Sequence, residues 1–239
     1  MDCLVGMQQI PNKSIDMILC DLPYGTTRNK WDSVIDLEKL WNLYERIIKD
    51  SGAIVLTAQT PFDKVLGTSN LKLLKYEWIW KKTQGTGFLN AEKMPLKNHE
   101  NILVFYKKLP DYNPQMRKGF EPYIAKKGGH GSNYGADYGA VTVSDGERYP
   151  LSVLEFAKDT QKVAIHPTQK PVALFEYLIK TYTKKGETVL DNCMGSGTTA
   201  IAAINTERNF IGFETNKEYH QKSIERIKNN VTQINLFGL

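Results

Sequence analysis

Apolar residues in the first 106 positions alternate between short continuous runs and stripes spaced three or four apart, the two periods that distinguish buried strands from amphipathic helices. Residues 14–20 read as a buried strand, with a polar turn over residues 21–27. Leu37, Leu40, Trp41, Tyr44, Ile47 and Ile48 then share one helical face, and Ser51-Gly52 is the expected stop. Residues 53–57 form the next strand, Pro61 opens a helix at its first turn, and 76–81 and 101–106 are further strands. After a break at residues 107–165, Val172, Phe175, Ile179 and Tyr182 line a helix that Lys185-Gly186 ends. Strand 188–191, helix 198–205, strand 210–213 and a charged helix over 217–230 complete the pattern. Alternation of this kind predicts an α/β fold with a mostly parallel sheet and helices on both faces.

Residues 107–165 have no such period. They hold the run GGHGSNYGADYG, the basic pairs Lys107-Lys108, Arg117-Lys118 and Lys126-Lys127, and Tyr112, Tyr123, Tyr134, Tyr138 and Tyr149. Interleaved tyrosine and basic residues suit phosphates and base faces, although a flexible lid has the same composition. The chain is therefore divided into 1–106, 107–165 and 166–239, the outer segments being halves of one domain.

Composition narrows the classes. With 239 residues, 41% hydrophobic and 24% charged, one large α/β domain with an insertion fits, and disorder does not. The longest apolar runs, such as 102–106, are far below a membrane span, and the start lacks a signal pattern, so a cytoplasmic protein without membrane contact is expected. Cys3, Cys20 and Cys193 lack CxxC spacing, and the four histidines are scattered, so no metal is expected; Cys20 and Cys193 read as packing residues. Net charge is +5, and residues 81–165 carry 13 Lys and Arg against 9 Asp and Glu. That mild excess fits a polyanion or a solvated basic face equally well.

Two separated segments carry the chemistry. Asp191 through Thr199 reads DNCMGSGTT between a strand and a helix, where Gly195 and Gly197 let a ligand approach the backbone and the helix N-terminus offers N–H groups. Glu214 ends the next strand, near the offset at which an acid meets ribose hydroxyls. The pair indicates an adenosine-containing cofactor: a nicotinamide dinucleotide, a flavin dinucleotide or S-adenosylmethionine. Ala200 stands at the third glycine position of a dinucleotide loop, which is tolerated there. A carboxylate at Asp191 suits a methionyl ammonium and repels a pyrophosphate; its alternative role is to cap the following helix.

Asp21-Leu22-Pro23-Tyr24 follows a buried strand, at the sheet edge where open α/β folds bind ligands. The Asp21 carboxylate and the Leu22 carbonyl could accept the two N–H bonds of an exocyclic base amine, Pro23 would hold that carbonyl, and Tyr24 would stack on an unpaired base. Taken alone, the four residues could equally form an Asx-Pro turn.

The two segments together, in this order, resemble the amino-group DNA methyltransferases that act on adenine N6 or cytosine N4, in their circularly permuted beta arrangement. The resemblance covers nearly the whole chain apart from its middle. It implies a Rossmann-like methyltransferase fold dependent on S-adenosylmethionine, double-stranded DNA as partner, a homodimer as one possible assembly, and a bacterial or phage-infected cell with the protein at the nucleoid. It implies that Asp21, Leu22, Pro23 and Tyr24 are catalytic and that residues 107–165 recognise the target. Asp2, beside Cys3, matches the acid that meets the cofactor adenine. His166-Pro167-Thr168-Gln169-Lys170-Pro171 is similar to the segment along the cofactor methionine, which assigns His166, Thr168, Gln169 and Lys170 to it. Asp191, Cys193, Gly195, Gly197 and Thr198 match the cofactor loop, and Glu214 the ribose acid.

Leu22 replaces the family's usual proline, which keeps the carbonyl and loses some stiffness. The chain begins at Met1, so the strand expected before Asp2 has no residues to form it, leaving one wall of the adenine pocket incomplete unless the true start lies upstream. No Pro-Cys occurs, which excludes the covalent route to cytosine carbon 5. By the resemblance, aspartate at position 21 favours adenine N6; cytosine N4 is the alternative, and a catalytically silent DNA-binding protein is the alternative of another class.

Overall fold

The computed structural model describes residues 1–25, 32–126, 141–159 and 169–237. His166 and Thr168, with Tyr134 and Tyr138, lie outside these residues. Helix α1 (Cys3–Gln8) leads into β1 (Ile15–Asp21), then α2 (Leu37–Ile47), β2 (Ile48–Ala58), α3 (Phe62–Ser69) and the long pair β3 (Leu74–Thr86) and β4 (Lys97–Phe105). Strands β5 (Tyr123–Lys126) and β6 (Val141–Ser144) precede β7 (Val153–Glu155). The chain closes with α4 (Val172–Tyr182), β8 (Thr188–Asp191), α5 (Thr198–Asn205), β9 (Asn209–Gly212) and α6 (Lys217–Phe237).

Seven strands form one sheet in the order β7-β3-β4-β2-β1-β8-β9. Four of the six neighbouring pairs are parallel; β4 runs antiparallel to both β2 and β3. The sequence did not reveal this reversal, because a strand buried on both faces has the same apolar run in either direction. Strand β1 lies fully inside the sheet, and successive side chains go to opposite faces. Ile18 and Cys20 join Leu40, Trp41, Tyr44 and Phe62 on the α2 and α3 side. Met17 and Leu19 join Leu174, Phe175, Leu178 and Ala202 on the α4 and α5 side. Helices thus cover both faces, as the pattern predicts.

Several boundaries differ from the sequence reading. Ser51-Gly52 does not stop α2, which ends at Ile47 with Ile48 already extended. Gly52 lies within β2, where a Cβ would sit 2.7 Å from the Asp16 carbonyl oxygen, so this glycine allows close strand approach. Helix α4 likewise ends at Tyr182, ahead of Lys185-Gly186, and α6 runs on to Phe237. The irregular segment contains a strand of the main sheet: β7 pairs with β3 from Ile79↔Val153 to Lys81↔Glu155. Three edge residues, with only Leu154 buried, are too few to show a period.

Residues Pro114–Leu151 form a second compact unit. In it β5 and β6 pair antiparallel, and the Arg148 guanidinium lies 4.4 Å from the Tyr123 ring centroid and 5.3 Å from that of Phe120. Tyr112 instead belongs to the sheet unit, its ring 6.2 Å from that of Tyr182. Among the described residues no helix is long and apolar enough to cross a membrane.

Candidate active site

Strand β1 pairs with β8 through Met17↔Val189 and Ile18↔Leu190, which brings their carboxyl ends side by side. Asp21 stands at the end of one and Asp191 at the end of the other, so both chemical segments open on the same sheet edge.

Asp21 is the centre of the first cluster. Its Oδ1 accepts the Tyr24 hydroxyl at 2.7 Å and also the Thr57 hydroxyl from the end of β2. Its Oδ2 accepts the Lys170 ammonium at 2.5 Å. A carboxylate offers about four lone-pair directions, so three donors leave roughly one for a ligand. Lys170 also lies 3.3 Å from Glu100 Oε2, and Glu100 Oε1 meets Lys82 at 2.6 Å. Lys82, Glu100 and Lys170 are all buried, and with Asp21 they make two cations and two anions, a balance that burial requires. Burial works against the charged forms, but Lys170 and Lys82 hold the Glu100 pKa below the ordinary carboxylate range, while Asp21 and Glu100 raise that of Lys170. Burial and the same two carboxylates push the Tyr24 phenol well up, so it stays a donor.

The Tyr24 ring stacks on Phe62 with centroids 5.4 Å apart, and the Lys170 ammonium lies 5.7 Å from its centre. The Leu22 side chain is buried, which anchors the backbone beside Asp21. Leu22 therefore contributes packing as well as the carbonyl at that position.

The second cluster surrounds the glycine turn. Gly195 and Gly197 have φ of 46° and 76°, the left-handed region that a side chain resists. A Cβ at Gly195 would have only the Cys193 carbonyl oxygen near it, at 3.9 Å, so the turn faces open space. Glu214 Oε2 accepts the Gly195 N–H at 3.0 Å, and Oε1 accepts that of Asn216 at 2.8 Å. Arg226 of α6 donates to the Ser196 carbonyl at 3.0 Å and the Thr198 hydroxyl at 3.2 Å, bracing the turn from behind. Thr198 also donates to the Lys170 carbonyl at 3.4 Å.

Asp191 is turned inward: Oδ1 accepts the Cys193 N–H at 3.0 Å, and Oδ2 accepts the Thr199 hydroxyl. Burial raises its pKa to about 6 despite those two donors. Asp2 caps α1 through the Leu4 and Val5 N–H groups, and the terminal ammonium of Met1 donates to the Glu214 carbonyl at 2.7 Å, which brings Asp2 to the β9 end of the turn. Cys3 lies behind it, accepting from the Asn192 amide at 3.7 Å. Gln169 donates to Asp159 at 3.1 Å.

None of the three thiols is set up as a nucleophile. Burial pushes Cys20 up to about 12, and hydrogen bonding among the thiols together with burial also raises Cys3 and Cys193 well above the ordinary thiol range. Among the described residues no His, Cys, Asp and Glu cluster could hold a metal.

Asp2, Cys3, Asp191, Cys193, Gly195, Gly197, Thr198 and Glu214 thus gather at one edge, beside Asp21 to Tyr24. Lys170 is the exception, with its carbonyl on Thr198 of the glycine turn and its ammonium on Asp21. Thr57, Lys82, Glu100 and Arg226 are members that the sequence reading missed. Glu100 stands two residues before the apolar run 102–106, where a solvated charge would look the same.

Comparison with known proteins agrees with this geometry. A DNA methylase family model for N6 and N4 enzymes matches residues 15–225. The DNA adenine methyltransferase YhdJ of Escherichia coli K12 is 27% identical over 241 residues, covering 95% of this chain and 80% of its own. The type II methyltransferase M1.MboII of Moraxella bovis is 28% identical, covering 92% and 91%. The crystal structure of an M1.HpyAVI–SAM complex superposes with a TM-score of 0.64 at 25% identity over 95% and 96% of the two chains. The PvuII cytosine-N4-specific enzyme shares the fold at a TM-score of 0.69, with 16% identity over 98% and 90%. The architecture is the Rossmann-like fold of such methyltransferases, with the Asp21 segment preceding the glycine turn in sequence.

Proposed function

Starting from the fact that this chain belongs to the N6/N4 DNA methylase family, we propose that it methylates the exocyclic N6 amine of adenine in double-stranded DNA, using S-adenosylmethionine. The observation that carries the reading is the pairing of β1 with β8, which sets Asp21 to Tyr24 beside the glycine turn at one sheet edge. The adenine choice rests on aspartate at position 21 and on the adenine enzyme among the relatives.

The second cluster fits the cofactor by its chemistry. The space before Gly195 admits a ligand against the backbone, and the surrounding acids, Asp2, Asp191 and Glu214, suit hydroxyls and a cationic group and disfavour a pyrophosphate. Glu214 would take the ribose, Asp2 the adenine, and Asp191 the ammonium, with Gly195, Gly197 and Thr198 along the backbone edge. S-adenosylmethionine, when bound, supplies an electrophilic methyl group.

The other steps belong to this chain's residues. Asp21 accepts one N–H of the extruded amine and the Leu22 carbonyl the other, which turns the nitrogen lone pair out of conjugation with the ring. Pro23 fixes that carbonyl, and Tyr24 stacks on the base. Lys170 compensates the charge of Asp21 while Glu100 and Lys82 balance Lys170, so the carboxylate acts as an acceptor in a buried setting. Orientation supplies most of the rate, and no cysteine takes part. The unit Pro114–Leu151, with Arg148, Tyr123 and exposed Tyr149, is suited to contacting the DNA target, within the wider segment 107–165.

The test is to map methylated bases in DNA from cells expressing the chain or its Asp21→Ala variant. N6-methyladenine at one repeated site, lost in the variant, is expected. Finding only N4-methylcytosine would replace the adenine reading, and DNA binding without any methylation would favour the silent binder.

A further inference from the structure

The geometry points to the β3–β4 hairpin tip as an apolar wedge that enters the base stack of duplex DNA beside the base held at Asp21, an inference that rests on the methylation reading above. Ala58, the last residue of β2, pairs with Asn101, so from Glu100 outward β4 has β3 as its partner and no β2 beside it. The pairing continues through Trp80↔Glu100 and Lys81↔His99 to Thr86↔Lys97. Lys81 to Thr86 is five steps of β3 against two of β4, so β3 bulges there, and the three β4 residues beyond Glu100 carry the arm about 10 Å at the usual strand rise. Because β2 runs parallel to β1, this arm projects from the edge that carries Asp21.

The end of the arm is ordered and apolar. A 3-10 turn over Phe88–Asn90 is closed by the Asn90 N–H on the Gly87 carbonyl at 2.9 Å, and the Lys93 N–H returns to the Asn90 carbonyl at 2.9 Å. Phe88 is 76% exposed, Leu89 100% and Met94 49%. Apolar side chains held outward on a fixed turn mark a contact surface. Lys93 and Lys97 flank them against the single acid Glu92, a balance that suits a polyanion. The inner end of the same arm holds Lys82 and Glu100 in the Asp21 network, so the arm and the Asp21 site share one edge of the sheet. A base drawn out to Asp21 leaves a gap in its stack, and an apolar side chain of this kind fills such a gap.

The test uses the full chain and the double variant Phe88→Ala/Leu89→Ala, checked for folding by circular dichroism and for unchanged binding of S-adenosylmethionine. Transfer to a fully paired duplex should fall by about tenfold or more, and should return to within about threefold of wild type when an abasic residue faces the target, since opening that pair meets little resistance. Equal rates of variant and wild type on the paired duplex, or equal loss on both duplexes, would overturn the wedge. Independently, Leu89→p-benzoylphenylalanine should cross-link to duplex DNA on irradiation, and cross-linking only to a second copy of the chain would overturn the proposal. Wild-type protein that methylates nothing while position 89 still cross-links to DNA would remove the methylation reading and keep the contact; active protein without that cross-link would do the reverse.

Discussion

The Lys170 ammonium lies 2.5 Å from Asp21 Oδ2 across 149 residues of sequence. Through its carbonyl the same residue accepts the Thr198 hydroxyl of the glycine turn. One residue thus joins the Asp21 carboxylate to the glycine turn, and Glu100 is a second acceptor for its ammonium at 3.3 Å.

Replacing Lys170 with Met should be costly in two ways. Asp21 and Glu100 would be left with one cation between them in a largely buried setting, a loss on the order of 3 kcal/mol in urea unfolding. Methyl transfer should also fall at constant cofactor affinity. A variant with unchanged stability would mean that solvent already screens the pair.

Lys82 and Glu100 should behave as one unit. Lys82→Met leaves two anions and one cation, Glu100→Gln the converse, and the double variant restores an equal count. Its destabilisation is expected to be smaller than the sum of the singles by about 2 kcal/mol, measured by the same unfolding series. Simple additivity would show that the 2.6 Å contact contributes nothing net.

Asp191 sets a pH window. Its folded pKa is raised from 3.8 to about 6, chiefly by burial, so the native state holds the proton more tightly than the unfolded chain. The stability this gives is complete below about pH 4 and is lost as pH rises through about 6, on the order of 3 kcal/mol. Asp191→Asn should therefore gain on wild type between pH 4.5 and 7.5. If the ionised carboxylate meets the cofactor ammonium, affinity for S-adenosylmethionine should rise by up to about tenfold per pH unit towards pH 6 and level off above it. Calorimetric titrations that show no such rise would leave Asp191 as a cap for the turn and α5.

Tyr24 separates ring from hydroxyl. Tyr24→Phe keeps the ring and leaves Thr57 and Lys170 on Asp21, so a loss below about tenfold is expected. Tyr24→Ala removes the stacking face, and base–aromatic stacking is worth about 1–3 kcal/mol. That should appear as a much larger fall in kcat/KM for DNA; equal effects of the two changes would assign the role to the hydroxyl.

The sequence reveals the parts of this molecule that repeat a period or a motif. Strand 188–191 and helix 198–205 fall where the pattern puts them, because the glycine turn between them separates two clear periods. The direction of β4 and the three residues of β7 leave no periodic trace. The two chemical segments were visible because short polar motifs end apolar runs. Lys82, Glu100 and Arg226 were not, since a buried charge is indistinguishable in sequence from a solvated one until its partner is known.

The place of β1 in the sheet has a consequence for how the protein is made. It is bordered on one side by β2, close in sequence, and on the other by β8, about 170 residues later. A chain leaving the ribosome therefore exposes the buried strand Ile15–Asp21, apolar over Met17–Cys20, with one unpaired edge until β8 has been synthesised. Fragments that stop before β8 should aggregate or bind chaperones instead of retaining half an activity. With Asp21 ahead of the glycine turn in sequence, the strands that complete the sheet around β1 are the last of its seven to be made.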